Sequence, residues 1–453
     1  MKARASLIFL FSFLCLCLFP TGCGTLPVVG KYIVDQQDSG DPPITFGAEP
    51  AFVVEGYRTA MNRTEDRAWP ERLENHLRTA ERVSGKPLIP GNKVTLLTDG
   101  PETFAAMRKA IEEAKDHINL EIFIFRDDKI GRPFADLLLR KRAEGVEVNV
   151  IYDSYGAKYT PRGFFTRMRE GGIRMIEFNP VNPIDLVGKE TVNNRDHRKI
   201  LVVDGKVAFT GGINIQEDHL NSKIPFWRDT HIQIEGPAVA WFQRLFLETW
   251  KNQNGPEFGA RDYFPPLETE GGLLVQVIEG APGQKVPEIY AAYLSAILNA
   301  EKSVYITHAY LVPSREMLNA LALAAEKGVD VRIIVPSFSD FWLPFYAGRY
   351  NYTFLLKAGV KLYEIQGSLL HSKTAVIDGV WSTIGSSNLD VRSFMHDLEV
   401  NAVAVDRGFA RRMEAVFEQD LRSSREILLD KWETRPRSDR MKEWFAHLFN
   451  YWI

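Results

Sequence analysis

From Asn92 onward the chain switches between two hydrophobic periods, about 3.6 residues for amphipathic helices and strict alternation or continuous apolar runs for strands. Ala110 to Ala114 reads as helix, and Ile118 to Phe125 as a strand. A helix carrying Phe134, Leu137, Leu138 and Ala143 follows, and after the turn at Gly145 comes the apolar strand Val146 to Tyr152. The same order returns later. Ala296 to Ala300 is helical, Val304 to Ala309 a strand, Leu318, Leu321 and Ala325 share a helix face, and Gly328 introduces Val329 to Val335. Strands alternating with amphipathic helices predict α/β units, each around a mostly parallel sheet. Repetition at so long a separation means two duplicated domains rather than a solenoid. A length of 453 residues agrees, since single cores stop growing well before that.

The pattern before Asn92 is different. Lys2 and Arg4 precede an apolar run from Leu7 to Phe19, too short to span a bilayer and suited to a secretory signal. All three cysteines, Cys15, Cys17 and Cys23, lie in residues 1–23, so the body cannot form an internal disulfide. Cys23 follows Thr21-Gly22, and this stretch resembles a bacterial lipoprotein signal, with Pro20 standing where an aliphatic residue is usual. That resemblance implies lipidation at Cys23 and an exported, membrane-associated bacterial protein; the other readings are an uncleaved anchor or a plain signal. Residues 24–50 are dense in Gly and Pro and read as a linker. Residues 51–84 read as a helical extension with Leu73, Leu77 and Ala80 on one face. The expected divisions are 51–260 for the first domain with that extension, 261–435 for the second, and 436–453 for an aromatic tail. Hydrophobic content of 45% and charged content of 25% are ordinary for a globular protein. A net charge of −3 speaks against wrapping a polyanion, so no nucleic-acid partner is expected.

Each half ends in one signature. His197-Arg198-Lys199 is followed by Asp204 and by Gly211-Gly212-Ile213-Asn214; His371-Ser372-Lys373 is followed by Asp378 and by Gly385-Ser386-Ser387-Asn388. From each histidine the lysine is two, the aspartate seven and the asparagine seventeen residues on. Two copies of so long a pattern are a strong signal. Residues i and i+2 of a strand share a face, so each His–Lys pair can address one substrate. Lys199, Lys373, Asn214 and Asn388 could together stabilise the charge on a phosphodiester's non-bridging oxygens. One neutral imidazole can attack phosphorus while a charged one protonates the leaving alcohol, and the two halves supply two. An attacking imidazole needs its second nitrogen held. Asp229, 32 residues after His197, and Glu399, 28 after His371, are the candidates for that task. Asp204 and Asp378 complete the catalytic motifs in name, but each sits across a strand from its histidine and is expected to brace the domain interface. No metal-ligand spacing is present, and no metal or cofactor is expected.

The paired motifs resemble those of the phospholipase D superfamily, and several stretches are similar to bacterial cardiolipin synthases: Leu120 to Phe125, Glu177 to Pro183, Asn193 to Lys199, Trp227 to His231 and Asn388 to Ser393. The resemblance runs from about Asn92 to Trp432. It implies a duplicated α/β/α fold with one shared active site, a phosphohistidine intermediate and no metal. It also implies transfer of a phosphatidyl group between two phosphatidylglycerol molecules, giving cardiolipin and glycerol, with His197 as nucleophile and His371 as general acid. A hydrolytic phospholipase D would use the same residues with water as acceptor, and a nuclease of the superfamily or a non-catalytic lipid-binding protein are the remaining alternatives.

His219, His231 and His308 are read as structural. Two aromatic stretches bear on a membrane-surface partner. Phe341 to Tyr346 follows the second strand–helix unit, where ligand-facing loops lie. Trp444, Phe445, Leu448, Phe449, Tyr451 and Trp452 make an apolar stripe at helical spacing, expected to touch membrane.

Overall fold

A computed structural model describes residues 71–181, 193–220, 226–259 and 261–453, together with Leu26 and Val29. The signal segment, Cys23, the rest of the linker and the start of the helical extension lie outside the described residues; Val29, within the stretch expected to be linker, is buried in the core of the second half and its N–H donates to Glu316 Oε2 (3.3 Å).

The expected strands are present, and two further sets join them into one sheet. In the first half these are β1 (Ile89–Leu97), β2 (His117–Ile122), β3 (Glu147–Asp153), β4 (Arg174–Phe178), β5 (Lys199–Val203), β6 (Val207–Gly211) and β7 (His231–Glu235). In the second they are β8 (Leu273–Gly280), β9 (Ser303–His308), β10 (Asp330–Pro336), β11 (Lys361–Ile365), β12 (Lys373–Ile377), β13 (Trp381–Gly385) and β14 (Glu399–Val405), with β15 (Ser424–Glu426) at the edge. The fifteen strands run in the order β15-β11-β10-β9-β12-β13-β14-β8-β1-β7-β6-β5-β2-β3-β4. Read outward from the β8–β1 seam, the two halves list equivalent strands in the same order. The duplication seen in the sequence is therefore a pseudo-two-fold arrangement about that seam.

Helices cover both faces. Gly100–Glu113, Arg162–Glu170 and Gly131–Ala143 bury Phe104, Phe165 and Leu138 against one face of the first half. Glu288–Asn299 and Arg315–Glu326 do the same in the second. On the opposite face, helices Val239–Asn252 and Arg407–Arg422 share one cluster, in which Phe242 and Leu245 join Val277, Val400, Phe409 and Met413. That core draws on both halves, so the two domains are not separable by burial. Starts of helices are set by local chemistry. Asp99 caps Gly100–Glu113 by accepting from Glu102 N–H (2.9 Å), and Glu102 returns a bond to Thr98 N–H (2.9 Å).

The α/β/α duplication is as expected; the pairing within it differs. Within the fifteen-stranded sheet, parallel pairing is confined to β2-β3-β4 and β9-β10-β11, the strands joined by crossover helices, while the remaining neighbours are antiparallel. The sequence pattern cannot separate these, because a strand buried on both faces is apolar in either direction. The helix Glu71–Ser84 also departs from its assignment to the first domain. It packs on the second half: Leu73 and Leu77 join the cluster of Ile289 and Tyr293, and His76 Nδ1 meets Ser295 Oγ at 3.0 Å.

Asp204 and Asp378 do not brace the domain interface. Each follows the far end of its motif strand and, with the next glycine, forms a two-residue turn of positive φ (51° and 63°; 54° and 64°) leading into β6 or β13. The Asp204 carboxylate accepts the N–H groups of Lys115, Asp116 and His117 at 2.8–3.0 Å, and that of Asp378 accepts those of Glu301, Lys302 and Ser303 at 2.8–2.9 Å. Each aspartate thus anchors the start of the adjacent strand within its own half. A five-residue strand spans about 17 Å, which keeps these carboxylates away from the histidines. Replacing either by alanine leaves three strand-start donors without their charged acceptor. The expected loss is about 2–4 kcal/mol of unfolding free energy in urea titrations, with the folded fraction keeping its activity. Full stability combined with lost activity would contradict this role.

Candidate active site

The two histidines sit where the motif strands begin, and the other half of the molecule holds both. His197 N–H donates to Leu398 O (2.9 Å), and Leu398 N–H donates to Arg195 O (2.8 Å). In the second half Ser368–Leu370 pairs in parallel with Phe226–Arg228, and His371 N–H donates to Arg228 O (2.8 Å). Each histidine is therefore bonded to the residue just before a carboxylate of the opposite half. The side chains follow. His197 Nδ1 meets Glu399 Oε1 at 2.9 Å, and His371 Nδ1 meets Asp229 Oδ2 at 2.8 Å. Asp229 and Glu399 both meet a motif histidine, but each meets the histidine of the other half rather than the one upstream. Sequence offsets run along one half and cannot register pairing across a seam. With Nδ1–H donated to a carboxylate, the neutral ring has its lone pair on Nε2.

The surroundings of the pair are cationic and dry. Lys199 Nζ donates to His197 O (2.6 Å) and Lys373 Nζ to His371 O (2.5 Å). Burial pushes His197 down to about 4, with Lys199 and Lys373 adding to the fall and Glu399 opposing it. Burial, followed by Lys373, holds His371 well below its ordinary value. Lys199 falls to about 7 through burial, reinforced by Lys373, and burial also lowers Lys373. Both imidazoles are thus neutral near pH 7 in the free protein. An anion arriving between the lysines would raise all four groups.

The braces are unequal. Burial works to raise Glu399, but His197, Lys199 and the Ser386 hydroxyl, which donates to its Oε2, outweigh it and hold the carboxyl below its usual range. Burial prevails at Asp229, whose pKa is raised despite Lys373 and the Thr230 N–H. Position fifteen after each histidine accounts for part of the difference. It is Ser386 in the second half and Gly212 in the first, where an added Cβ would stand 2.1 Å from Asp229 Oδ1. The Gly–Ser difference at matched positions is visible in the sequence, yet it has no meaning until the carboxylates are placed beside it.

Asn214 and Asn388 occupy equivalent loops. Asn214 Oδ1 accepts Ile124 N–H (3.1 Å), and the Asn214 backbone N–H donates to His219 Nε2 (3.3 Å). Asn388 N–H donates to Ser393 Oγ (3.2 Å), and its Oδ1 is buried with no partner. His219 comes closer than its position in the chain suggests. Its ring lies 5.9 Å from that of His371, and ligand atoms of His219, Asp229 and His371 fall within 4.8 Å of one another. These three could hold a metal by distance, but the Asp229–His371 hydrogen bond already accounts for two of them. His308 is buried across from Lys373 and meets Tyr293 Oη at 3.3 Å; His231 is buried beside Gly211. Phe123 packs edge-on to His197 (4.9 Å) and Trp227 lies 5.3 Å from His371. Periodicity alone left both as ordinary apolar residues.

On one side of the site, Tyr310 Oη donates to Asp340 Oδ1 (2.6 Å), and the charge of Asp340 acts on both His371 and Lys373. The two aromatic stretches meet next to it. Helix Trp342–Tyr350 packs on helix Arg437–His447, with Trp342 and Phe445 stacked at 6.4 Å. The C-terminal stripe divides. Phe449 packs with Leu343, Ala347 and Ile453, and Tyr451 and Trp452 lie against His396. Trp444 (57% exposed), Phe445 (47%) and Leu448 face outward with Phe341, Trp342 (50%) and Met441.

Residues 107–250 and 293–421 match the family model described as cardiolipin synthase, PLD-like domain. The chain is 37% identical over 380 residues to a cardiolipin synthase of Geobacillus sp., covering 83% of this chain and 75% of that one. It is 37% identical over 381 residues to cardiolipin synthase 2 of Bacillus anthracis, covering 82% and 74%. Among solved structures, the phosphatidylserine synthase of Haemophilus influenzae matches with a TM-score of 0.64 at 16% identity, over 83% of this chain and 99% of that one. The last likeness speaks to the fold alone. With two motif-bearing halves sharing one site, and with these relatives over most of its length, the chain belongs to the cardiolipin synthase family of the phospholipase D superfamily, a family of phosphatidyltransferases.

Proposed function

We propose that this enzyme transfers a phosphatidyl group from one phosphatidylglycerol to another through a phosphohistidine on His197. The observation that supports the reading is the exchange of braces: each imidazole gives Nδ1 to a carboxylate of the other half, which leaves Nε2 for chemistry, and each motif lies close enough to act on the other's histidine. In the first step His197 Nε2 attacks phosphorus and the P–O bond to the glycerol headgroup breaks. His371, charged once the anion is bound, gives its proton to the departing oxygen. Lys199, Lys373, Asn214 and Asn388 take up charge on the non-bridging oxygens. In the second step neutral His371 removes a proton from the headgroup hydroxyl of a second phosphatidylglycerol. That oxygen attacks phosphorus, the P–N bond breaks, and cardiolipin leaves. Glu399 favours His197 as nucleophile, since an ionised carboxylate with the Ser386 hydroxyl on its second oxygen supports the imidazolium character of the intermediate.

Water in place of the second lipid would give hydrolysis with the same residues. Purified protein on phosphatidylglycerol vesicles separates the two outcomes: cardiolipin plus glycerol is expected, and phosphatidic acid as the main product would overturn the transfer reading. His197→Ala should abolish turnover, and Glu399→Gln should lower kcat by roughly 100-fold or more while leaving KM little changed.

The partner surface is proposed to be a bilayer. Among the described residues no helix is long and apolar enough to cross a membrane. The outward-facing Trp342, Trp444 and Phe445, with the basic Arg437, Arg440 and Lys442 beside them, suit an anionic lipid interface. The lipoprotein-type segment ending at Cys23 would tether the enzyme on the exported side. Fatty-acid labelling that persists in Cys23→Ala would contradict that tether. For the patch, Trp342→Ala with Trp444→Ala should weaken co-sedimentation of a form lacking residues 1–23 with phosphatidylglycerol vesicles by roughly tenfold or more. Unchanged binding would remove the patch from the account.

A further inference from the structure

Beside His197 the first half buries two carboxylates that each keep an oxygen without a donor. Asp196 and Arg198 flank the histidine, and Glu121 lies on the neighbouring strand β2; all three are buried. Arg198 is fully committed. Its Nη2 meets Glu279 Oε2 (2.6 Å), its Nη1 meets Thr249 Oγ1 (3.1 Å), and its Nε donates to Glu399 O (3.1 Å). It stands 3.9 Å from Glu121 Oε1, which already accepts from Thr249 Oγ1 at 3.1 Å. Asp196 Oδ1 accepts Arg198 N–H (3.1 Å). The two oxygens left over, Glu121 Oε2 and Asp196 Oδ2, are buried with no donor, while the two side chains lie within hydrogen-bonding reach of each other. Two carboxylates are acceptors only, so two such oxygens cannot face each other both ionised.

We propose that Glu121 and Asp196 share one proton as an acid–carboxylate pair, and that this pair positions His197. The chain of contacts is short. Asp196 fixes the Arg198 backbone, Arg198 fixes the Glu399 carbonyl, and the Glu399 side chain holds His197 Nδ1. The other charged groups facing the pair are Lys199 and Arg195 on its own segment, Asp153 on β3 and Glu279 on β8. Arg195 is drawn to Asp153 (3.7 Å), and Lys86 to Glu279 (2.7 Å). Lys199 Nζ is given to the His197 carbonyl, and none of these cations is bonded to Glu121 Oε2 or Asp196 Oδ2. Burial accordingly raises Glu121 to about 7 and lifts Asp196 well above the usual carboxylate range. The second motif has nothing comparable: the matching positions are Thr307, Leu370 and Ser372.

The sign of the pH dependence follows. A raised native pKa stabilises the fold at pH values below the unfolded value of about 4, and that contribution is lost as pH rises through the native one. Asparagine at 196 would supply the missing N–H without titrating; alanine would not. The positioning role rests on His197 being the nucleophile, whereas the shared proton does not. Infrared difference spectra at pH 7 should therefore show a carboxylic-acid C=O band in wild type that Asp196→Asn lacks. The melting temperature of Asp196→Asn should gain on wild type as pH rises from about 5 to 8. In vesicle assays, Asp196→Asn should stay within about threefold of wild type at pH 7 and fall less on the alkaline side, whereas Asp196→Ala should lose roughly tenfold or more. Identical infrared spectra would overturn the shared proton. An Asp196→Asn enzyme as impaired as Asp196→Ala, with the band difference present, would overturn the positioning role alone.

Discussion

The hydrogen bond between each motif histidine and a carboxylate from the opposite half is the constraint around which the molecule is arranged. It requires the two halves to meet along a seam, and the β8–β1 pairing supplies one. It also requires the motif segments to reach across that seam, which the Leu398–His197 and Arg228–His371 backbone bonds secure. A core shared by helices Val239–Asn252 and Arg407–Arg422 keeps the halves from moving apart. Each half takes from the other the carboxylate that orients its histidine, so the site is complete only where both halves meet.

Symmetry sets the site up, and departures from symmetry let it work. Two identical imidazoles would have no reason to divide nucleophile from acid. Here Glu399 carries a serine hydroxyl and Asp229 lies against a glycine. His197 rests on Glu121, Asp196 and Arg198, whereas the matching positions beside His371, Thr307, Leu370 and Ser372, carry hydroxyl and apolar groups. The electrostatic cost of burying Glu121, Asp196, Arg198 and Glu279 falls on one motif only, the one whose histidine is proposed as the nucleophile.

Much of this was legible in the sequence. The duplication, the strand–helix units and the eight motif residues were readable because local periodicity and fixed spacing survive without knowledge of the fold. The two carboxylates that meet the motif histidines were readable as candidates too. What failed was assignment across distance. Asp229 and Glu399 exchange partners, Asp204 and Asp378 anchor strands within a half, and the Glu71–Ser84 helix docks on the later domain. Each miss concerns which half a residue serves, and pseudo-symmetry makes that undecidable from offsets, since both choices place like residues in like positions. Parallel and antiparallel strands were confused for a related reason: burial on both faces erases the pattern that distinguishes them.

The central claim is that His197 becomes covalently phosphorylated while His371 manages the proton. A phosphatidyl ester with an activated nitrophenol leaving group tests it most directly, because that departure needs no acid. With the His371→Ala enzyme the account predicts a stoichiometric burst of nitrophenol and an acid-labile phosphatidyl adduct mapping to His197. An adduct on His371 in the His197→Ala enzyme, or turnover without any adduct, would contradict it.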